Sequence, residues 1–399
     1  MKPTTFVLAA LVLAACGEAT APRADLLFKQ VSAGYSHTCG VTTSGAAYCW
    51  GDGFNGKLGN GSTTGTSSPV AVAGGLTFTA VSAGSEYTCG LTTGGAAYCW
   101  GSNSIGQLGD GSTRNASTPV AVAGGLTFSA VSTGGAHACG LTTGGAAYCW
   151  GGNYYGELGN GSTLDTGTSP MAVAGGLIFS AVSAGADHTC GLTAGGAAYC
   201  WGLNVHGQLG NGTADSVPHS MPVTVAGGLT FAAVSAGADH TCSLTAGGTA
   251  YCWGVNVYGQ LGSGTVDSVP HATPVAVASG LTFAAVSAGP DHTCGVTTGG
   301  AAYCWGPNVE GELGDGTTTG AQECVVLAGW GAVRGRVCSA TPVAVAGGLT
   351  FVVVSAGYKY SCGATAGNTA YCWGANSVGE LGNGASPNGE LTPVRVVGP

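Results

Sequence analysis

Apolar and β-branched residues occur along this chain in short runs of four to seven residues, bounded by Gly, Asn and Pro. Such runs, rich in Val, Thr, Tyr and Trp, are typical of strands in an antiparallel sheet. Four of them follow one another in one representative stretch: Leu76–Ser82, Thr88–Thr92, Ala96–Trp100 and Val120–Ala123. Beyond the N-terminal segment, no stretch keeps the 3.6-residue apolar period of a helix. The pattern therefore predicts an all-β fold.

The strand pattern recurs seven times. The string Tyr-Cys-Trp-Gly begins at seven positions, separated by 50, 50, 51, 52, 52 and 68 residues: Tyr48, Tyr98, Tyr148, Tyr199, Tyr251, Tyr303 and Tyr371. Each copy is followed by a turn that ends in Gly-[Lys/Gln/Glu]-Leu-Gly, as in Gly56–Gly59. A period near 50 residues with four strands per unit is typical of propeller blades. We therefore predict a seven-bladed β-propeller over residues 26–399, with four antiparallel strands per blade.

The hairpin between the second and third strands of each unit can be aligned by counting. In the first unit, Cys39 and Cys49 are centred on Ser44, so residues 43–45 form a three-residue loop. Such a loop needs a positive φ at its third position, and Gly45 adopts that conformation easily. The two cysteines then lie opposite one another, at a separation that a disulfide can bridge. Gly40 falls opposite Tyr48 and leaves space for the tyrosine ring.

The two ends of the chain differ from the internal units. Each internal unit starts with a Pro-Val-x-Val strand such as Pro119–Val122, with Met171 in place of the first valine in one unit, whereas the first unit begins at Leu26 without such a strand. Residues Pro393–Val397 provide an unattached copy of that strand. We therefore expect the N- and C-terminal strands to pair, so that the last strand completes the first blade and closes the ring. Closure would remove exposed sheet edges.

The N-terminal segment predicts export. Residues 1–15 contain a charged start and the apolar run Phe6–Ala15, which is typical of a signal peptide and too short to span a bilayer. Cys16 follows Leu-Ala-Ala, an arrangement that resembles the lipobox of bacterial lipoproteins, in which the cysteine receives lipid. The alternative is an ordinary cleaved signal. Residues 16–25 would then be the lipidated cysteine and a tether, and the protein would be anchored at the bacterial cell envelope, at the outer membrane or cell surface.

Composition narrows the choice of partner and chemistry. Only 7% of the 399 residues are charged, with 18 acidic against 9 basic residues. Because no basic stripe could neutralise phosphates, nucleic acid is not an expected partner. No Ser-His-Asp order, paired carboxylates or Gly-Lys-[Ser/Thr] loop stands apart from the repeats, so we predict no catalytic residues and no cofactor.

Three motifs of the fourth unit carry a resemblance to a known family: Gly-x-x-His-Thr-Cys at Gly185–Cys190, Tyr-Cys-Trp-Gly-x-Asn at Tyr199–Asn204 and Gly-Gln-Leu-Gly at Gly207–Gly210. In this combination, over residues 26–399, the chain resembles the regulator of chromosome condensation repeat family. The resemblance implies a seven-bladed propeller used as a protein-binding platform. It does not imply the exchange-factor role of the eukaryotic founder, whose functional residues have no counterpart in this sequence. The cysteine pair in every unit departs from the usual repeat.

Sixteen of the 17 cysteines form an even set once Cys16 is assigned to lipid. Seven pairs have the ten-residue spacing and an eighth is more widely spaced: Cys39 and Cys49, Cys89 and Cys99, Cys139 and Cys149, Cys190 and Cys200, Cys242 and Cys252, Cys294 and Cys304, Cys362 and Cys372, and Cys324 and Cys338. In an oxidising compartment this pattern predicts structural disulfides. Zinc sites use tighter spacings such as Cys-x-x-Cys, so we predict no metal site.

Histidine recurs at one position of the repeat, at His37, His137, His188, His240 and His292, while Tyr87 and Tyr360 occupy it in the other two units. One interpretation is a ring of imidazoles that holds a metal in the channel. The other is a hydrogen-bonding residue that fixes a turn inside each blade. Two tyrosines would break a metal ring, which favours the structural role.

An insertion at about residues 318–339 of the sixth unit breaks the pattern. It contains Cys324, Trp330, Arg334, Arg336 and Cys338. A long loop held by its own disulfide and presenting Trp and Arg is a candidate partner contact. A tolerated surface insertion is the alternative. Other non-repeated aromatic residues are candidates to extend such a surface: Tyr35, Tyr154, Tyr155 and Tyr358.

Three functions are compatible with the sequence. The first is a monomeric binding or scaffold protein of the envelope that recognises a protein, or alternatively a glycan, through loops on one propeller face. The second is a propeller enzyme acting on envelope glycans, which would need clustered carboxylates or a metal at the channel mouth. The third is a purely structural envelope protein. A constant framework with variation in its loops favours the first.

Overall fold

The computed structural model describes residues 25–164, 166–319, 322–326 and 333–398, with the backbone alone for 322, 323, 325, 326 and 333–336. The predicted signal peptide, Cys16 and most of the tether lie outside the described residues, as does Trp330. No helix among the described residues is long and apolar enough to cross a membrane.

Twenty-nine strands form seven antiparallel sheets within the described ranges, and each sheet is one blade. Blades 1 to 4 are β1 (Phe28–Ala33), β2 (His37–Thr42), β3 (Ala47–Gly51) and β4 (Thr66–Ala71); β5 (Phe78–Ala83), β6 (Tyr87–Thr92), β7 (Ala97–Gly101) and β8 (Ala116–Ala121); β9 (Phe128–Thr133), β10 (His137–Thr142), β11 (Ala147–Gly151) and β12 (Gly167–Ala172); β13 (Phe179–Ala184), β14 (His188–Thr193), β15 (Ala198–Asn204) and β16 (Asp215–Thr224). Blades 5 to 7 are β17 (Ala233–Ala236), β18 (His240–Leu244), β19 (Ala250–Gly254) and β20 (His271–Ala276); β21 (Phe283–Ala288), β22 (Thr293–Thr297), β23 (Ala302–Pro307), β24 (Gln322–Val326) and β25 (Val333–Ala344); β26 (Phe351–Ala356), β27 (Tyr360–Thr365), β28 (Ala370–Gly374) and β29 (Glu390–Arg395). The predicted all-β, seven-bladed propeller is confirmed.

The register of the β2–β3 hairpin is the one that counting predicts. Cys39 lies opposite Cys49 with their Cα atoms 4.1 Å apart, and Gly45 has a φ of 87°. Gly40 does not leave space for the tyrosine ring, as the sequence had suggested. Gly40 does face Tyr48, but the space beside it is occupied by Phe28 of β1, whose Cδ1 atom lies 2.6 Å from the position of an added Cβ. Glycine at this position therefore accommodates the phenylalanine that begins the blade.

The predicted closure of the ring by pairing of the terminal strands is wrong. The C-terminal strand β29 pairs with β28 of its own blade, and the first blade is completed by β4, which contains Pro69 and Val70. Each Pro-Val strand therefore ends a blade and does not begin the next one. The connection from the third to the fourth strand spans about 10 to 16 residues in most blades. Such a local loop loses less entropy on closing than a pairing between the two ends of the chain.

The hydrophobic core lies between blades, and this packing closes the ring. A typical cluster joins the Cys39–Cys49 hairpin and Leu58 of blade 1 to Phe78 and Trp100 of blade 2. The cluster between blades 7 and 1 has the same composition, with Phe28 and Trp50 against Cys362, Cys372 and Leu381. Because each blade presents the same two surfaces, the seventh blade packs on the first as any other pair does.

Serine hydroxyls link neighbouring blades near the axis. Ser183 Oγ of blade 4 accepts a hydrogen bond from Ala236 N of blade 5 at 2.9 Å. The equivalent bond joins every pair of neighbouring blades, including Ala33 N to Ser355 Oγ across the junction of blades 1 and 7. These bonds satisfy main-chain donors on the innermost strands, which have no further strand to pair with.

Candidate interaction face

Two ends of the disc differ in their connections. One end carries the turns between the first and second strands of each blade and the loops between the third and fourth strands. We call this end the loop face. In blade 1 these two connections meet, because Asp52 N donates to Ser36 O at 2.9 Å. We call hairpin face the opposite end, where the 43–45 hairpin contacts the next blade through Phe78 N and Gly45 O at 2.8 Å.

The hairpin face repeats nearly the same small residues in every blade. Its hairpins contain Thr, Ala, Gly and Ser, with Asn368 in the last blade, and its connections between blades contain Gly-Gly or Ser-Gly. An added Cβ at Gly74 or Gly75 would meet no atom within 4 Å. This end therefore offers a uniform surface with few groups that distinguish one partner from another.

The loop face, by contrast, varies from blade to blade at two adjacent positions. The pairs that precede Gly-x-Leu-Gly are Phe54-Asn55, Ser104-Ile105, Tyr154-Tyr155, Val205-His206, Val257-Tyr258, Val309-Glu310 and Ser377-Val378. Several are large and exposed: Phe54 by 63%, Tyr154 by 64% and Val378 by 42%. Specific recognition is commonly carried by such variable side chains on a rigid scaffold.

The framework that supports these pairs is buried and nearly constant in blades 2 to 7, with an Asn and a Gln or Glu in each. In blade 4, Gln208 Oε1 accepts a hydrogen bond from His206 N at 2.9 Å, and Asn204 Oδ1 accepts one from Leu209 N at 3.2 Å. Glu157 plays the role of Gln208 in blade 3, where its Oε2 accepts from Tyr155 N at 2.8 Å. The main-chain oxygen of Gln208 in turn accepts from Trp253 Nε1 of blade 5 at 2.9 Å. The Gln208 side chain thus holds the main chain of the variable pair, and the Gln208 main chain is hydrogen-bonded to the next blade.

The repeated histidines link blades, which differs from the expected turn inside one blade. His188 Nε2 lies 2.8 Å from Thr241 Oγ1 of the next blade, and His37, His137, His240 and His292 make the same contact with Thr88, Thr189, Thr293 and Ser361. At the two tyrosine positions, Tyr87 and Tyr360 donate to main-chain oxygens of the following blade. Burial lowers the pKa of His188 to about 4 and that of His37 to about 3. Among the described residues, no group of His, Cys, Asp or Glu is arranged to hold a metal.

The channel mouth on the loop face is small. A cavity of about 120 Å³ is bounded by the first turns of all seven blades, mostly Ala and Gly, together with Tyr35, Ser85, Thr133 and Pro290. The described residues lining it include no carboxylate or imidazole. The clustered carboxylates that the glycan-enzyme hypothesis requires are therefore not brought together in this cavity.

On the loop face, a buried lysine at the junction of blades 1 and 2 is neutralised by two carboxylates. Lys57 is fully buried, and its Nζ lies 2.6 Å from Asp52 Oδ2, 2.7 Å from Glu86 Oε2 of blade 2 and 3.1 Å from Ser36 Oγ. Although partial burial opposes it, the Lys57 ammonium lowers the pKa of Asp52 below its usual value. The arrangement defines a cation position between the turns of two neighbouring blades.

The same positions in blades 3 to 5 carry carboxylates without a lysine. Gln208 stands at the Lys57 position, and Asp187 and Asp239 stand at the positions of Ser36 and Glu86. Burial, and then the charge of Asp239, raises the pKa of Asp187. Burial raises the pKa of Glu157 to about 7, and the charge of Asp187 adds to that shift. We call Glu157, Asp187 and Asp239 the acidic arc.

The aromatic residues singled out in the sequence lie on this same face. Tyr35 of blade 1 and Tyr358 of blade 7 stack with ring centroids 4.2 Å apart and planes 8° from parallel. They border a cavity of about 290 Å³ that also contacts Lys359 and Glu310, whose charged atoms are 4.0 Å apart. Tyr154 and Tyr155 lie on the other side of the ring, beside Glu157.

The insertion in blade 6 is a hairpin and not the expected loop. Strands β24 and β25 pair with Cys324 opposite Arg336, and β25 continues into the fourth strand of the blade. Cys324 and Cys338 are joined and buried, and the ten-residue cysteine pairs are joined in each blade. The side chains of Arg334 and Arg336 are not described, so their contact role stays a prediction.

Sequence reasoning did not identify Lys57, the acidic arc or the choice of face. The available signal was the comparison of blades position by position. Charged residues at positions where other blades carry Ser, Ala or Gln, such as Asp187 against Ala136, mark the arc. Their meeting across blades could not be read from spacing, because the partners are about fifty residues apart.

The fold and this face define a class of protein: a seven-bladed propeller with a uniform face and a variable face. Residues 13–348 match the RCC1-like domain, and residues 351–380 match the regulator of chromosome condensation (RCC1) repeat. The chain belongs to the RCC1-like domain family.

Curated relatives share part of the chain. The ultraviolet-B receptor UVR8 of Arabidopsis thaliana is 32% identical over 215 residues, which are 53% of this chain and 44% of the relative. The human E3 ubiquitin-protein ligase HERC2 is 34% identical over 142 residues, which are 36% of this chain and 3% of the relative. The chain thus covers less than half the length of these relatives.

Solved structures confirm the fold over most of the chain. Yeast RCC1 (Prp20) bound to Kap60 superposes with a TM-score of 0.76 at 20% identity, covering 99% of this chain and 91% of that one. Human WBSCR16 gives a TM-score of 0.75 at 22% identity, covering 89% and 94%. At these identities the likeness concerns the fold alone.

Proposed function

We propose that this protein is a protein-interaction platform that binds its partner through the loop face. The observation that carries the proposal is the contrast between the two faces of one rigid disc. The hairpin face repeats Gly, Ala and Thr, whereas the loop face presents a different residue pair in each blade. Exposed Phe54 and Tyr154 are aromatic side chains of the kind that is enriched at protein interfaces.

Relatives support a role in protein binding. Yeast RCC1 (Prp20) was crystallised bound to Kap60, and a second structure, of Prp20p from Saccharomyces cerevisiae, is reported with its binding to Gsp1p and histones. We carry over only the use of the propeller as a binding surface, because the partners belong to those proteins.

We further propose that the platform is exported and held at the cell envelope through a lipid on Cys16. The Leu-Ala-Ala-Cys sequence supports lipidation, and eight cystines suit an oxidising compartment. Cys16→Ser should abolish incorporation of tritiated palmitate and release the protein from membranes. Unchanged labelling of the Cys16→Ser protein would refute the anchor without affecting the platform.

The loop face is tested by site-specific photo-crosslinking in the native cells. A photoreactive residue at Tyr154, on the loop face, is compared with one at Ile178, which is exposed by 57% on the hairpin face. We expect a discrete crosslinked protein from position 154 and none from position 178. Equal capture from both positions, capture from 178 alone, or no protein captured from either would contradict the proposal.

Two substitution sets separate the loops from the insertion. Phe54→Ser with Tyr154→Ser introduces a residue that blade 2 carries at this position as Ser104, and Ile178→Thr introduces the residue that most blades carry on the hairpin face. With the photoreactive residue at the exposed loop-face residue Val378, the first set should reduce capture at least tenfold and the second should leave it unchanged. Trp330→Ala with Arg334→Ala tests the insertion, and unchanged capture would remove it from the contact surface.

A further inference from the structure

A cation position exists on the loop face, and one blade junction fills it with the protein's own lysine. At the junction of blades 1 and 2, Lys57 Nζ lies within hydrogen-bond distance of Ser36, Asp52 and Glu86. A buried ammonium is stable only where carboxylates and hydroxyls surround it in this way. The junction therefore shows which geometry of the two turns accommodates a cationic group.

The junction of blades 4 and 5 has the same main-chain arrangement, with two carboxylates and no lysine at the corresponding positions. Leu203 N donates to Asp187 O at 2.9 Å, as Asp52 N donates to Ser36 O, and Thr241 Oγ1 donates to Gln208 O at 2.9 Å, as Thr88 Oγ1 donates to Lys57 O at 3.0 Å. By position in the repeat, Gln208 corresponds to Lys57, and Asp187 and Asp239 correspond to Ser36 and Glu86, but Gln208 makes no hydrogen bond to either aspartate. Within the described part of the chain, neither aspartate forms an ion pair with Lys or Arg.

Gln208 adds an independent sign that this junction lacks a partner. Its side chain is fully buried, and its Oε1 is occupied by His206 N. Its Nε2, however, has no acceptor among the described residues. A buried amide donor without an acceptor destabilises the folded protein, and a carbonyl oxygen supplied from outside would relieve that penalty.

We infer that the acidic arc binds a Lys or Arg side chain presented by a partner protein, with the cationic group between Asp187 and Asp239 and a partner carbonyl on Gln208 Nε2. This inference rests on the proposed binding role of the loop face and specifies the chemistry of the partner. Glu157 of the preceding blade lies on the Asp187 side of the position, where it accepts a hydrogen bond from Tyr155 N at 2.8 Å. Two neighbouring carboxylates suit a guanidinium in particular, because its planar N–H groups can donate to both.

The test uses a capped hexa-arginine peptide, with hexaserine as the uncharged comparison, and isothermal titration at about 0.15 M salt, where long-range attraction is screened. The site variant is Glu157→Gln, Asp187→Ser and Asp239→Ser. Each replacement is a residue that another blade carries at the same position: Gln107 for the first and Ser36 for the other two. We expect roughly tenfold or greater weakening of hexa-arginine binding, as for close charge pairs at interfaces.

The control removes the same number of charges elsewhere. Asp110→Asn and Asp315→Asn introduce the residue found at Asn60, and Glu390→Thr introduces the residue found at Thr66. This control should change the affinity by less than about twofold, because charges outside the site contribute little at this salt concentration. Equal weakening by the control and the site variant would mean a general effect of net charge and would overturn the inference.

A single gain-of-cation variant gives a second readout. Gln208→Lys places an ammonium where Lys57 has one, so it should abolish hexa-arginine binding while raising the thermal midpoint of unfolding. Asp110→Asn changes the net charge by the same amount and should leave both hexa-arginine binding and the thermal midpoint unchanged. Retained binding by a folded Gln208→Lys protein would overturn the inference, as would wild-type protein that binds hexa-arginine no better than hexaserine. If crosslinking from position 154 still captures a protein in that case, the platform stands and only the basic partner is refuted.

Discussion

His188 Nε2 lies 2.8 Å from Thr241 Oγ1, so a histidine of blade 4 is bonded to the second strand of blade 5. The threonine hydroxyl also donates to Gln208 O at 2.9 Å, which leaves its lone pair for the imidazole. Both side chains are fully buried. The contact therefore connects the core of one blade to the loop-face framework of its neighbour.

Thr241→Val tests this connection with a side chain of similar shape. The substitution leaves the buried His188 Nε2 without its partner and removes one of the two hydrogen bonds to Gln208 O, the other being from Trp253 Nε1, so we expect a loss of about 1–3 kcal/mol in the free energy of unfolding. Urea denaturation followed by tryptophan fluorescence measures it. Thr224→Val, on the exposed end of β16, is the matched control and should change stability by less than about 0.5 kcal/mol. Equal effects at both sites would refute the role of the hydroxyl.

The histidines predict loss of stability in acid. Burial lowers the pKa of His188 and His292 to about 4 and that of the other three to about 3, against a usual value of 6.5. The unfolded chain binds these protons first, so the stabilisation is complete above pH 6.5 and is lost as the pH falls from 6.5 towards 3. Each histidine contributes a slope of up to about 1.4 kcal/mol per pH unit.

Unfolding free energies measured from pH 7 to pH 4.5 would show this slope. His188→Tyr introduces the residue that blade 7 carries at Tyr360 and should reduce the slope by the share of one histidine. A wild-type stability that is flat over this range would contradict the prediction.

Glu157 predicts the opposite dependence at higher pH. Burial first, and then the charge of Asp187, raises the pKa of Glu157 from 4.5 to about 7. The folded protein therefore holds a proton that the unfolded chain releases, and stability is lost as the pH rises from 4.5 through 7. Glu157→Gln keeps the acceptor for Tyr155 N and should stabilise the protein by up to about 3 kcal/mol at pH 8. The two proteins should have equal stability at pH 4, and an equal difference at both pH values would exclude titration as the cause.

Glycines at the blade junctions predict a packing effect separable from backbone strain. Gly210 has a φ of 66°, and an added Cβ would lie 2.7 Å from Trp253 Nε1. Gly228 has nearly the same φ, 65°, with no atom within 4 Å of an added Cβ. Gly228→Ala should lose about 1–2 kcal/mol through φ alone. Gly210→Ala should lose about 1–3 kcal/mol more, because the indole must shift. Equal losses in thermal unfolding would show that the tryptophan tolerates the methyl group.

The cystine framework predicts a simple peptide map. Mass spectrometry of the unreduced, digested protein should find each cysteine joined to the one ten residues away, and Cys324 joined to Cys338. Removing one hairpin pair, such as Cys190→Ala with Cys200→Ala, should destabilise by about 2–3 kcal/mol or less, because the hairpin is already local in the unfolded chain. Cysteines linked between blades, or found as free thiols, would show that the strand register is wrong.

The sequence by itself determined the number of blades and the structure within each hairpin. The ten-residue spacing of Cys39 and Cys49, with Gly45 between them, defines a register, because strand pairing around a short turn follows from local backbone geometry. The sequence also located the aromatic residues that prove to lie on the loop face, such as Tyr154 and Tyr358.

Tertiary structure alone decided how the blades meet. It assigned Pro69 and Val70 to blade 1, placed Phe28 over Gly40, turned the histidine towards the next blade, and brought Asp187 near Asp239 of the next blade. These contacts join residues about fifty positions apart, and which surfaces face each other depends on the packing of whole sheets. A periodic sequence specifies that neighbouring blades interact identically, but only their packing determines which side chains meet.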